Sequence, residues 1–160
     1  MGRALLDAFS RDDRGAIHRL APYRVPDEFP GDAIGLVRFR REQLARDPAR
    51  APWLLRAIVR RSDSLMVGYV NFHGPPGVND TGTRGAVELG WTVFPDHRRQ
   101  GYATETATGL MEWAAREHHI AHFISSTTEE NLASLRVHEK LGFRRTGEIV
   151  DGEVIFELRC

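Results

Sequence analysis

"HRRQGYATE", residues 97–105, places two arginines, a glutamine and a glycine immediately ahead of a helical pattern. Upstream lies "AVELGWTVFP" (86–95), an apolar run rich in β-branched and aromatic side chains that ends at Pro95. Downstream, Ala103, Ala107, Leu110, Met111 and Ala114 recur at helical spacing. The stretch therefore reads as a strand-to-helix junction. A helix start offers free backbone N–H groups and the positive end of the macrodipole. Gly101 lets the backbone come close to a ligand, and small Ala103 keeps the wall low. Amides from Arg99 to Thr104 are then placed to wrap a pyrophosphate, with the Thr104 hydroxyl and the charges of Arg98 and Arg99 beside them. The plainer alternative is an exposed basic turn. Neither a Gly-Lys-Ser/Thr phosphate loop nor a G-x-G-x-x-G fingerprint is present.

Working outward, 160 residues suit one domain that buries about 70% of its unfolded surface. Lysine plus arginine (22) equals aspartate plus glutamate (22), so no strong net field points to nucleic acid or to an acidic membrane. Nothing resembles a signal peptide or a spanning helix, because Arg3 and Asp7 interrupt the short apolar opening. The single cysteine, Cys160, has no internal partner, and a reducing cytoplasm is the default compartment.

The N-terminal third (1–53) reads as helical. Asp12 or Asp13 caps a short helix through about Leu20, and "APYRVPDEFPG" (21–31) is a proline-broken connection. Asp32 is expected to cap a second helix that carries Ile34, Val37, Phe39 and Leu44 and stops before Pro48. Arginines 38, 40, 41, 46 and 50 read as a solvated helix face. From 54 to 158 comes a sheet core. Strands at 54–60 and 65–72 are joined by "RSDS", a turn-rich loop covers 73–85, and a further strand covers 86–94. The junction helix runs to about Glu117, and "AHFISSTT" (121–128) is a strand. "NLASLRVHEKLGF" (131–143) is a helix closed by Gly142, and a hairpin turns at Asp151-Gly152. The order implies one mixed α/β (α+β) domain.

Arg98-x-x-Gly101-x-Ala103 after an apolar strand resembles the pyrophosphate-binding motif of the GNAT superfamily of N-acetyltransferases. The N-x-x-S…E-K-L-G-F pattern of residues 131–143 is similar to the branch that acetylates ribosomal-protein N-termini (alanine or serine) and related amines. Pattern, spacing and element order agree from about 54 to 158, whereas the family's usual first strand is not obvious. The resemblance implies a mostly antiparallel, twisted central sheet, splayed between its fourth and fifth strands and flanked by helices. It implies acetyl-coenzyme A as cosubstrate, without metal, and direct transfer to a primary amine, either a protein N-terminus or a small molecule. Carried over, Arg98, Arg99, Gln100, Gly101, Tyr102, Ala103 and Thr104 hold the pyrophosphate. Trp91, Thr92, Val93 and Phe94 pair with the pantetheine arm, with the Val93 amide facing the thioester carbonyl.

Asn131, Ser134 and His138 share one helix face, which borders the coenzyme in such proteins. Asn131 then contacts pantetheine or adjacent backbone, and the thiolate is protonated by Ser134 or by His138 as imidazolium. Many relatives carry tyrosine where His138 stands. The resemblance also allows a catalytically silent acyl-coenzyme A-binding module, which the missing tyrosine favours and Glu88 and Ser134 oppose. Dimers are common among such proteins, so a homodimer is allowed.

The amine must arrive unprotonated. At pH 7 that costs about 4.6 kcal/mol for a lysine and about 1.1 kcal/mol for an α-amine. Glu88, on the strand before the motif and sharing a face with Gly90 and Thr92, is the candidate base, directly or through water. A surface carboxylate paired with Arg84 is the alternative. His118, His119 and His122 lack cysteine or carboxylate partners and do not read as a metal site. Trp53, Trp91 and Trp113 read as core. The resemblance, in which the loop between the first helices covers the acceptor site, allows Tyr23, Phe29 and His73 to line it, but ordinary loop packing is the preferred reading.

Overall fold

The computed structural model describes all residues, Met1–Cys160. Helices α1 (Arg3–Ser10), α2 (Arg14–Leu20) and α3 (Ile34–Arg46) precede β1 (Arg56–Arg60) and β2 (Leu65–Phe72). Then come β3 (Val87–Val93), α4 (Tyr102–His118), β4 (His122–Thr127), α5 (Leu132–Leu141), β5 (Arg144–Val150) and β6 (Glu153–Arg159). The strand order is β1-β2-β3-β4-β6-β5, giving a mixed α/β fold with a six-stranded sheet. The chain resolves into two compact units, Met1–Tyr69 and Val70–Cys160.

In the first unit, α1 packs against α2 and α3. Its Leu5, Ala8 and Phe9, spaced i, i+3, i+4, are all buried. The sequence reading did not place this helix. It is short, and no side chain caps its start at Gly2; the Arg3–Asp7 pair that interrupted the apolar opening spans one turn at 3.9 Å. Asp13 does cap α2, accepting from the Ala16 N–H at 2.9 Å. Asp32 does not cap α3: it lies in a 3-10 turn, Gly31–Ala33, and the helix starts behind Ala33 with no side-chain cap. The inward stripe of α3 is Val37, Arg40 and Leu44. Arg40 is therefore buried, not part of a solvated arginine face, and its Nη1 donates to Gln43 Oε1 at 2.8 Å. Phe39, one residue before Arg40 and so turned roughly 100° off the stripe, is exposed.

At the place where the resemblance implies a first strand, the structure has a single parallel bridge, Arg24 with Leu65. Arg24 N–H donates to Ser64 O at 2.8 Å, and Met66 N–H donates to Arg24 O at 2.9 Å. A one-residue bridge flanked by Pro22 and Pro26 leaves no alternating pattern to read.

In the second unit, β4 pairs with β6 along its whole length, antiparallel, from His122↔Arg159 to Thr127↔Val154. The β5–β6 hairpin closes through Asp151 and Gly152, at φ +50° and +83°, the left-handed pair that a two-residue turn demands. β3 pairs with β4 in parallel through Val87↔Phe123 and Glu88↔Ile124. β3 continues to Val93 and β4 to Thr127, so the two strands part beyond Glu88. Counted with the Arg24 bridge, they hold the fourth and fifth strand positions. The α4 residues Ala107, Leu110, Met111 and Ala114 are buried as their spacing predicts. No helix is long and apolar enough to cross a membrane.

Candidate active site

A cavity of about 720 Å³ lies in the second unit, lined by the end of β3, the junction, the start of α4 and one side of α5. The junction's backbone is unusual. Arg99 and Gly101 both adopt left-handed conformations, at φ +63° and +89°. Gly101 is the N-cap of α4, with no side chain satisfying the first-turn amides. Left-handed residues beside a helix start turn successive N–H groups toward one concavity, the arrangement that receives anions. A Cβ on Gly101 would meet nothing within 4 Å, so its glycine answers to φ rather than to crowding. Arg98 Nε donates to Val93 O at 3.1 Å, tying the turn to the strand end.

The lining also includes Arg98, Arg99, Arg136 and Lys140 and no aspartate or glutamate. In a chain of zero formal net charge, four cations on one cavity are a concentrated positive field. The donor set, cationic side chains beside the open amides of a helix start, fits a polyanion such as a diphosphate.

The sequence-derived residues fall into two groups. Trp91, Thr92, Val93, Arg98, Arg99, Gly101, Tyr102, Ala103, Thr104, Asn131 and Ser134 all line the cavity. Phe94, Gln100, Glu88 and His138 do not line it. Asn131 has two duties, since its Oδ1 also caps α5 by accepting from the Ser134 N–H at 3.2 Å. Sequence reasoning missed Arg136 and Lys140. The side of α5 that meets the cavity carries Ala133, Val137 and Lys140, at i, i+4 and i+7. It is rotated by about one residue, roughly 100°, from the Asn131/Ser134/His138 face. Ser134 sits at the seam between the two.

His138 therefore turns inward and is fully buried. Its ring stacks on Phe156 at 4.2 Å and lies 5.0 Å from Trp91. Nδ1 is 2.8 Å from Ser134 O and Nε2 is 2.9 Å from Ser125 Oγ. A carbonyl only accepts, so Nδ1 carries the proton and Nε2 accepts from the Ser125 hydroxyl. Burial pushes this imidazole down to about 4, against the pull of the Ser134 carbonyl. An imidazolium role for His138 does not fit a neutral ring with both nitrogens engaged in the core.

Glu88 is buried, which removes the surface reading with Arg84. Its Oε2 accepts from the Asp80 N–H at 2.7 Å and lies 3.4 Å from His73 Nδ1, while Oε1 has no hydrogen-bond partner. Burial raises this carboxyl, but the bond and charge of His73 and the Asp80 amide outweigh it and hold it below the usual range. Asp80 goes the other way, raised by burial and by the neighbouring Glu88 carboxylate. His73, Asp80 and Glu88 each bring a potential metal-ligand atom within 4.8 Å of the others. His118 and His119 are exposed at the end of α4, and His122 meets Glu157 at 2.9 Å.

Known proteins share this architecture. Residues 3–144 match the acetyltransferase (GNAT) domain. YjdG, an uncharacterized N-acetyltransferase of Bacillus subtilis, is 32% identical over 140 residues, covering 87% of this chain and 80% of its own. The ribosomal-protein-S5-alanine acetyltransferase of Vibrio fischeri superposes with a TM-score of 0.63 at 13% identity, covering 99% and 90% of the two chains. The microcin C7 self-immunity acetyltransferase MccE, solved with acetyl-CoA and AMP, superposes with a TM-score of 0.59 at 12% identity, covering 99% and 89%. Those two likenesses speak to the fold. The domain match and the Bacillus relative place this chain, with its splayed strands and left-handed turn before α4, in the GNAT family of acetyl-CoA-dependent N-acetyltransferases.

Proposed function

We propose that the enzyme transfers the acetyl group of acetyl-CoA directly to a primary amine, a protein N-terminus or a small molecule, with the diphosphate held at the Arg98–Thr104 turn. The observation that carries this reading is the pair of left-handed residues, Arg99 and Gly101, opening α4 onto a cavity with four cations and no carboxylate. Lys140 and Arg136 flank the cofactor from α5. The pantetheine arm runs beside Trp91–Val93, and the Val93 amide is placed to stabilise the oxyanion of the tetrahedral state.

Ser134, half-buried at the cavity's edge, protonates the leaving thiolate. Glu88 supplies the negative charge that draws the proton from the amine. An α-amine needs about 1.1 kcal/mol to lose that proton at pH 7, against about 4.6 for a lysine, so α-amino acceptors place the lighter demand on this site.

The test is thiol release from acetyl-CoA across a panel of α-amino peptides, polyamines, amino acids and aminoglycosides, with acetyl-CoA affinity measured by titration calorimetry. Release with at least one amine class is expected. Tight binding with no amine acetylated would instead make the protein an acyl-CoA-binding module.

A further inference from the structure

Glu88 alone is badly placed to meet a substrate. Its side chain is 0% exposed, and it does not line the cavity. On a strand rising ~3.4 Å per residue it stands roughly 10 Å from Trp91, the first residue that does. A general base must come within a hydrogen bond of its proton, or within one water.

His73 bridges part of that distance. It follows β2 directly, and its N–H donates to Glu88 O at 2.7 Å, fixing the loop against β3. Its Nδ1 lies 3.4 Å from Glu88 Oε2 and 3.8 Å from Asp80 Oδ1. Its Nε2 lies at the ring's other end, 3.8 Å from where a Cβ on Gly90 would sit. The ring thus lies along β3 from the buried carboxylate toward the Gly90–Thr92 side, two residues nearer the cavity. Its side chain is 32% exposed, so solvent and substrate can touch it.

We infer that His73 is the catalytic group that takes the amine's proton, with Glu88 as the buried carboxylate that orients it. This deepens the proposed acetyl transfer and rests on it. Glu88 holds the proton on Nδ1 and leaves Nε2 as the basic atom, the arrangement by which a buried carboxylate sets an imidazole's tautomer. The amine nitrogen forms its bond to the thioester carbon, the C–S bond breaks, and the amine proton passes to Nε2 and on to solvent. The thiolate takes its proton at Ser134, whose hydroxyl is restored from solvent. Glu88 and Asp80 face the resulting imidazolium, with Asp151 and Glu153 adding negative charge beyond Asp80.

The experiment compares the full-length wild type with His73→Ala, His73→Gln and Glu88→Gln, using the best amine of the panel. His73→Ala should lower kcat by roughly 10²–10⁴-fold while acetyl-CoA affinity stays within about twofold, and added imidazole should restore part of the rate saturably. His73→Gln keeps a donor for Glu88, so a merely structural ring would tolerate it, whereas a proton acceptor would not. Independently of turnover, ¹⁵N spectra of the wild type should show His73 protonated on Nδ1, and Glu88→Gln should disturb that preference.

An active His73→Gln, no response to imidazole, or an Nε2-protonated His73 overturns the inference and leaves acetyl transfer standing. Loss of activity on dialysis against EDTA, regained with zinc, overturns it in favour of a cation held by His73, Asp80 and Glu88. A wild type that acetylates nothing overturns both readings.

Discussion

His138 Nε2 stands 2.9 Å from the Ser125 hydroxyl, and His138 Nδ1 stands 2.8 Å from the Ser134 carbonyl, so α5 is pinned to β4 through one neutral, buried ring. The ring's folded-state value of about 4 lies below the ordinary 6.5. Between those values the unfolded chain binds a proton that the folded protein refuses, so stability rises with pH across the window. Urea unfolding should therefore show stability falling as pH drops from about 6.5 toward 4, by on the order of 3 kcal/mol from this residue. His138→Phe should flatten that part of the slope; an unchanged slope would place the acid sensitivity elsewhere.

Gly101 separates conformation from binding. Alanine at φ +89° should cost roughly 1–2 kcal/mol of stability, because a Cβ is strained there, whereas asparagine tolerates the left-handed region better. Gly101→Glu adds a carboxylate beside the diphosphate and should weaken acetyl-CoA at least about 100-fold, or ~2.7 kcal/mol. Unchanged affinity in calorimetry would refute the junction as the diphosphate site.

Glu88→Gln removes the negative charge behind His73. The rate should fall roughly 10²–10⁴-fold at pH values where the acceptor amine is protonated, and the loss should shrink where the amine is neutral on its own. A pH–rate profile displaced downward by one factor throughout would count against a role in proton removal.

Ser134→Ala and His138→Phe should part company. The first should lower kcat by tenfold or more, about 1.4 kcal/mol, with KM little changed. The second should be expressed mainly in stability, with Ser125 left without its partner at a cost of roughly 1–3 kcal/mol. Steady-state kinetics beside melting curves distinguish them; equal, small kinetic losses would remove Ser134 from the protonation step.

The fold was legible where local rules and tertiary needs agree. The strand 65–72, the α4 stripe, the left-handed Gly142 closing α5 and the Asp151-Gly152 turn each answer to a backbone or periodicity constraint within a few residues. Helix α1 escaped because its Leu5/Ala8/Phe9 spacing spans only two turns and no side chain caps it, and Asp32 misled because a good capping residue says nothing about the 3-10 turn that receives it. Arg40 shows the limit of charge patterning, since its place on the Val37/Leu44 stripe buries it whatever its charge.

By itself the sequence determined the strand-to-helix junction at 97–105, because glycine at a left-handed helix start and the cations beside it are local features that residue types reveal. Tertiary structure alone decided which way α5 faces, and so sent Ser134 and Lys140 to the cavity and His138 to the core. It alone brought His73 from its loop to Glu88, fifteen positions away. Rotation of a helix and return of a loop are set by packing against distant segments, and the order of residues along the chain does not encode such contacts locally.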